Sequence, residues 1–344
     1  MRSIGFHLPE GTLEYDAGDA LGVWPHNSPQ AVAEFLELTG LDGAAEIAIG
    51  EQTMPMAEAL RRRLDITRIT PDLLRFVHER HPVDELRSAI DDPPRFAEWA
   101  WGRQTLDLLT DYPIEAGLDE WLDVLRPLAP RLYSISSSPL EDPTRVHVTP
   151  GIVRFESSRG TQRHGVCSGH LAGLEAGAEV DVFVQRTKHF RPPQDPEARA
   201  IMIGPGTGIA PFRAFLHDRA ARGHSGHNWL FFGEQHEATD YYYRDELDAF
   251  AQSGVLTRMD TAFSRDGATK IYVQDRMQEN APDLWKWIAD GAYVYVCGDA
   301  ARMARDVDET LRGIIAQQSG RSPHSATSYL QAMSAERRYV RDVY

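Results

Sequence analysis

The chain has 344 residues, 42% hydrophobic and 25% charged, the balance of a globular protein with room for two or three cores. A formal charge of −15 argues against nucleic acid or an anionic membrane as the main partner, so a polyanionic ligand must be met by a local cluster of cations. Two cysteines, Cys167 and Cys297, give no disulfide framework and point to a reducing cytoplasm. The 13 histidines lack metal-ligand spacing, so no metal is expected, and there is neither a signal segment nor a membrane-length apolar run.

In chain order, Arg2 to Leu8 reads as a strand, Pro9-Glu10-Gly11 as a turn, and Gly18 to Val23 as a second, buried strand. Ser28-Pro29 opens a helix with Val32, Phe35, Leu36 and Leu38 on one face and Gly40 as its stop. From about 54 to 128 the pattern stays helical, over Met56–Leu64, Pro71–Arg80, Val83–Ile90, Phe96–Leu109 and Leu118–Leu128. Strand texture returns at Arg131–Ser136, Val146–Val153 and Val180–Val184, as in an antiparallel barrel. Residues 190–199 read as a linker. Beyond it, strands at Ile201–Gly204, Trp229–Gly233, Leu256–Phe263 and Tyr293–Cys297 alternate with helices, the signature of a parallel sheet with crossovers. The fold expected is therefore a multidomain β plus α/β protein. An antiparallel β-barrel is split as 1–27 and 129–192 around a helical insertion at 28–128, and a Rossmann-like parallel α/β domain follows at 193–344.

The most informative stretch is Ile201 to Phe212. An apolar strand feeds glycines 204, 206 and 208, and Pro211 stands where a helix should begin. Small residues there let backbone N–H groups approach a pyrophosphate, although a ligand-free strand-to-helix turn would look the same. Arg131-Leu132-Tyr133-Ser134 joins a phosphate-pairing cation, a stacking ring and a hydroxyl on one strand. An ordinary strand with a surface Arg is the alternative. Gly165-Val166-Cys167-Ser168 precedes an apolar helix start at Leu171 and offers N–H groups or merely a helix cap. Ser264-Arg265, Lys270, Tyr272 and Gln274 form a candidate clamp for a ribose 2′-phosphate or a solvated loop. Glu234 is the nearest acceptor for a free ribose 2′-hydroxyl. An aromatic residue at Tyr344, if docked, would cover a planar group. Arg61-Arg62-Arg63 reads as a solvated helix face.

Taken together and in this order, these motifs resemble the ferredoxin–NADP reductase-like module of the diflavin reductases. The stretches that carry the likeness are Gly18–Val23, Arg131–Ser134, Gly204–Pro211, Ser264-Arg265, Lys270–Gln274 and Tyr293–Asp299. The end, Glu336-Arg337-Arg338-Tyr339 through Arg341-Asp342-Val343-Tyr344, is similar to the sulfite reductase branch. The resemblance implies FAD and NADPH as cofactors. It gives Arg131 to the FAD pyrophosphate, Tyr133 and Leu132 to the flavin ring, and Ser134 to flavin N5. Gly165, Val166, Cys167 and Ser168, with Thr149, Gly151 and Thr67 nearby, would hold FAD. It gives Gly206, Thr207 and Gly208 to the NADPH pyrophosphate, Ser264, Arg265 and Lys270 to the 2′-phosphate, and Tyr272 and Gln274 to the adenosine. Asp306 is a further residue on that side. Ser134, Cys297 and Asp342 would form the nicotinamide pocket, and Tyr344 would cover the flavin. The implied partners are a flavodoxin-like FMN carrier and a sulfite reductase haemoprotein subunit. A reductase for ferredoxin, flavodoxin or a haem protein, or a non-redox assembly subunit, are the alternatives. The family places an FMN domain ahead of this module and the chain shows none, so a fragment, a mis-called start or a subunit with a separate FMN partner is expected. Phe155 stands where the family has a tyrosine.

Overall fold

Two kinds of strand pairing divide the computed structural model, which describes residues 1–9, 13–224 and 227–344. Glu10 and Gly11 of the expected first turn lie outside the described residues. Strands β1 (Ile4–His7) and β2 (Ala20–Val23) precede α1 (Pro29–Thr39). Helix α1 starts and stops where its sequence says. The Ser28 hydroxyl accepts the Ala31 N–H at 3.1 Å, Pro29 opens the first turn, and Gly40 closes the last.

The insertion is not purely helical. A hairpin, β3 (Glu46–Ile49) with β4 (Gln52–Pro55), comes before α2 (Met56–Arg62) and β5 (Leu64–Asp65). Helices α3 (Pro71–Arg80), α4 (Asp84–Ile90), α5 (Pro93–Ala100), α6 (Thr105–Asp111) and α7 (Leu118–Val124) follow, and β6 (Arg126–Pro127) pairs back on β5. The single helix expected over Phe96–Leu109 is two helices. The Asp107 carboxylate accepts the Gln104 N–H at 2.8 Å and starts α6 afresh. The segment expected as Leu118–Leu128 ends at Val124, because the next residues are drawn into the pairing with β5. The insertion buries its own core around Trp121, on which Phe35 and Phe76 pack edge-on at 5.4 and 5.1 Å.

Strands β7 (Arg131–Ser134), β8 (Arg145–Val148), β9 (Arg154–Glu156) and β10 (Gln162–His164) come next, then α8 (Val166–Gly173) and β11 (Val182–Gln185). They pair antiparallel in the orders β11-β2-β7, β1-β8 and β10-β9. The strand expected over Val146–Val153 ends at Val148, since Pro150 has no N–H to continue a ladder. Helix α8 begins at Val166, ahead of the expected Leu171, because Gly169 N–H already bonds the Gly165 carbonyl at 2.7 Å.

The second part is a single parallel sheet. Its elements are β12 (Ala200–Ile203), a short 3₁₀ turn (Gly206–Gly208), α9 (Ile209–Ala221), β13 (Asn228–Glu234), α10 (Glu237–Asp240), α11 (Arg244–Gln252) and β14 (Arg258–Phe263). They continue with α12 (Val273–Glu279), α13 (Ala281–Ala289), β15 (Tyr293–Gly298), α14 (Met303–Ser319), α15 (Pro323–Ala335) and β16 (Tyr339–Val343). The order β14-β13-β12-β15-β16 reverses direction between β12 and β15. Among the described residues no helix is long and apolar enough to cross a membrane. The stretch at 190–199 is extended but not loose. Buried Arg219 donates to the carbonyls of Pro193, Pro196 and Ala198 at 3.1–3.3 Å, and Phe190 packs on Phe212, Phe215 and Tyr295.

Charge ties the parts together. Arg163 on β10 is buried, and it donates to Asp107 of α6 at 2.8 and 3.0 Å and to Glu34 of α1 at 2.9 Å. From α9, Arg213 donates to the Ser136 carbonyl at 2.6 Å and to Glu246 of α11 at 2.5 and 2.7 Å. His217, one turn on, faces Glu141 at 2.8 Å and Glu246 at 2.9 Å. Tyr243 takes a left-handed backbone, uncommon for a bulky residue, and meets the Thr149 hydroxyl at 2.6 Å.

Removing Arg163 strands the fully buried Asp107 carboxylate. Arg163→Ala should therefore cost about 3–5 kcal/mol in urea unfolding, partly recovered by adding Asp107→Asn. Burial pushes the Glu246 carboxyl up, but hydrogen bonds from His217 and Arg213 outweigh it and hold it at about 2, below its ordinary 4.5. A depressed carboxylate stabilises the fold above its unfolded pKa, and that share is lost as pH falls from 4.5 towards 2. Unfolding free energy of Glu246→Gln should fall less steeply with acid over that interval than that of the unaltered chain.

Candidate functional site

The switch point between β12 and β15 is where an open α/β sheet leaves a crevice at its carboxyl ends. Gly206 enters the turn after β12 at φ 59°, a backbone that side chains rarely adopt. Gly208 lies so close to β15 that a Cβ there would overlap the Cys297 carbonyl. Among the described residues, the N–H groups of Gly206 and Thr207 have no protein acceptor, and they sit at the positive end of the 13-residue helix α9. The turn thus offers unpaired N–H groups at a helix start, the chemistry that suits an anion. Glu234 ends β13 beside Gly206, its carboxylate accepting the Gln235 N–H at 2.8 Å.

Across the crevice the parallel register sets Cys297 beside Asp342 and Gly298 beside Val343. The Ser134 hydroxyl, from β7 of the antiparallel part, donates to Asp342 Oδ2 at 3.1 Å. Tyr344 sets its hydroxyl 2.7 Å from Thr207 Oγ1, and both Ser134 and Tyr344 reach the Cys297 thiol. Five of the residues singled out in the sequence thus converge from four segments. Burial pushes the Cys297 thiol far up, with the neighbouring Asp342 carboxyl adding to it. Burial also raises the Asp342 carboxyl, only partly opposed by Ser134.

On the antiparallel side, Leu132 and Val153 are large apolar residues left about half exposed. Val153 lies against Gly165 and donates its N–H to Ser168 Oγ at 3.2 Å. Arg131 meets no carboxylate among the described residues and donates to the Ala129 carbonyl at 2.9 Å. An apolar ledge, an unpaired guanidinium and a helix start fit a planar ring carrying phosphates. Gly151 lies beside the Thr207 methyl and Thr149 is held by Tyr243. The Tyr133 hydroxyl lies by the Cys167 thiol, which is buried near the Val23 carbonyl, so Cys167 can present only backbone to a ligand.

Thr67 is bonded to Asp65 and, through its carbonyl, to the Thr105 N–H. Gln104, which the sequence reading missed, carries the link onward by donating to the His164 carbonyl next to Gly165 at 2.9 Å. Its only sequence signal was the Asp107 three residues later. At the far end of the sheet, Ser264 donates to the Glu234 carbonyl, while Arg265 and Lys270 are exposed and have no acidic partner among the described residues. Tyr272 caps α12 and Gln274 lies in its first turn. Asp306 sits apart in the first turn of α14, facing Arg305 at 3.8 Å, with no bond to that arm among the described residues.

Comparison with known proteins gives two matches in tandem. The FAD binding domain family matches residues 3–170 and the oxidoreductase NAD-binding domain family matches residues 202–309. The sulfite reductase [NADPH] flavoprotein alpha-component of Cronobacter sakazakii is 44% identical over 345 residues, covering 100% of this chain and 57% of the relative. Its counterpart in Shewanella oneidensis is 42% identical and that in Sodalis glossinidius 43%, each with the same coverage. The chain therefore spans a little over half the length of these curated relatives. The chain thus carries matches to an FAD-binding and a nicotinamide-dinucleotide-binding domain in tandem, and along its whole length it is similar to those flavoprotein alpha-components.

Proposed function

We propose that the chain is a reductase module that moves a hydride from NADPH to FAD and passes electrons singly to a flavodoxin-like FMN carrier, serving a haemoprotein that reduces sulfite to sulfide. The observation that carries this reading is the meeting of Ser134, Cys297, Asp342 and Tyr344 at the sheet's switch point, next to the glycine turn. The names of its relatives support the choice of NADPH and of sulfite. When bound, FAD supplies the two-electron to one-electron conversion.

This chain's residues supply position and protection. Arg131 and the turn Gly165–Ser168 would neutralise the FAD phosphates, with Leu132, Tyr133, Thr149 and Gly151 bordering the ring and Thr67 beyond. Gly206, Thr207 and Gly208 would take the NADPH pyrophosphate. Ser264, Arg265 and Lys270 would take the 2′-phosphate, and Tyr272 and Gln274 the adenosine. Asp306 is a weaker member of that set, given its distance in the fold. Ser134 fixes Asp342 by its hydrogen bond, and the raised Asp342 carboxyl is suited to hold a proton beside the transferring centre. Cys297 stays a neutral thiol in a dry wall, since burial disfavours its thiolate and the neighbouring Asp342 carboxyl disfavours it further. Tyr344 lies over the crevice and must leave before a nicotinamide enters, so its release is a gating step. Both cysteines are free and buried, in keeping with a cytoplasmic protein.

Purified protein loaded with FAD should show flavin absorbance that NADPH bleaches without oxygen, and a spectrum unmoved by NADPH would overturn the assignment. Deleting Tyr344 removes a ring contact and a hydroxyl bond, together worth about 1–3 kcal/mol, and should raise NADH turnover roughly tenfold or more. Unchanged NADH kinetics would mean that the ring is no gate.

A further inference from the structure

The arm that leaves β14 is held by neither helix nor strand, yet each of its first three residues is tied down. Beyond the last ladder pair, Glu234 with Phe263, Ser264 N–H donates to the Glu234 carbonyl at 2.8 Å and Arg265 N–H to the Gln235 carbonyl at 2.9 Å. At Asp266 a side chain takes over. Its Oδ2 accepts the Glu237 N–H at 2.7 Å, and its Oδ1 meets His236 Nδ1 at 2.8 Å. The opposing segment is itself braced, with His236 N–H on Asp240 at 3.0 Å and Arg244 on Glu237 at 2.5 Å.

This has an electrostatic side. Asp266 is the carboxylate nearest in sequence to Arg265, and a free aspartate there would fold onto Arg265 or Lys270 and cancel the cations offered to a dianion. Held by His236 and the Glu237 N–H, it is turned away, and both cations stay unpaired in a chain of net charge −15.

We propose that Asp266 is a positioning residue for the nucleotide arm: clamped by His236 and Glu237, it fixes the backbone from which Arg265 extends and withholds its own charge, so that the site favours a 2′-phosphorylated adenosine. The inference rests on reading 264–274 as the 2′-phosphate arm, and its test separates the two. The FAD-loaded chain and its Asp266→Ala, Asp266→Asn, His236→Gln and Arg265→Ala variants are titrated with 2′,5′-ADP and with 5′-ADP. Asp266→Ala should weaken 2′,5′-ADP roughly tenfold and leave 5′-ADP unchanged. Asp266→Asn, which keeps an acceptor for the Glu237 N–H and carries no charge to misplace, should lose less, and His236→Gln should fall between. Retained 2′,5′-ADP binding in Asp266→Ala alongside loss in Arg265→Ala overturns the positioning role alone. Equal loss of both ligands in Asp266→Ala also overturns it, since that marks a merely structural residue. Unchanged binding in Arg265→Ala overturns the reading of the arm, and the proposal with it.

Discussion

Two backbones touch at Gly208 and Cys297, and the rest of the site is measured from that contact. Any side chain at 208 would strike the Cys297 carbonyl and push the turn off the end of β15. Because the turn also begins α9, such a shift would carry with it the helix that holds Arg213 and His217. A close approach of this kind fixes where the N–H groups of the turn lie relative to the Cys297 wall, with no flexible side chain between them. Precision at the crevice is thus a property of main chain, which loses little entropy to stay in place once the sheet has formed.

The second constraint is charge placed between parts that pack separately. The insertion, the antiparallel sheets and the parallel sheet have distinct apolar cores, and polar anchors span their seams. Arg163, Arg213 and His217 each contact carboxylates, while Arg219 and Arg191 grip carbonyls, Arg191 also pairing with buried Asp19. Buried ion pairs add little net stability compared with apolar packing, but they tolerate only a narrow range of geometries. They suit a seam that must hold Ser134 against Asp342, where a small slip would part the two halves of the site.

Much of this was legible in the chain because local chemistry and final structure agree. Ser28-Pro29 and Gly40 bound α1, and the switch from period-two strands to strand–helix alternation announced the antiparallel and parallel sheets. What was hidden depended on partners far away in sequence. The hairpin at 46–55 and the short pair of β5 with β6 carry too few residues to show a period. Strand β16 reads as a charged tail until β15 gives it a ladder. The break before α6 was masked because apolar spacing continues through it, and only the Gln104–Asp107 bond divides it. At the site, the glycine turn and the Arg131–Ser134 strand stood out by composition. The roles of Gln104, Glu246 and Tyr243 did not, since nothing local tells a polar residue which carbonyl or carboxylate it will meet.

Tyr344 is fastened in two different ways. Its N–H donates to the Gly298 carbonyl at 3.1 Å and its carbonyl accepts the Ala300 N–H at 3.0 Å, so its main chain extends the β16 ladder. The residue is nonetheless 61% exposed, and its ring is held by the hydroxyl at Thr207. Swinging that ring aside therefore asks for rotation about a single Cα–Cβ bond, with no peeling of the strand. Such a hinge can open far faster than a strand can detach, and it returns to the same seat each time because the ladder keeps the pivot still.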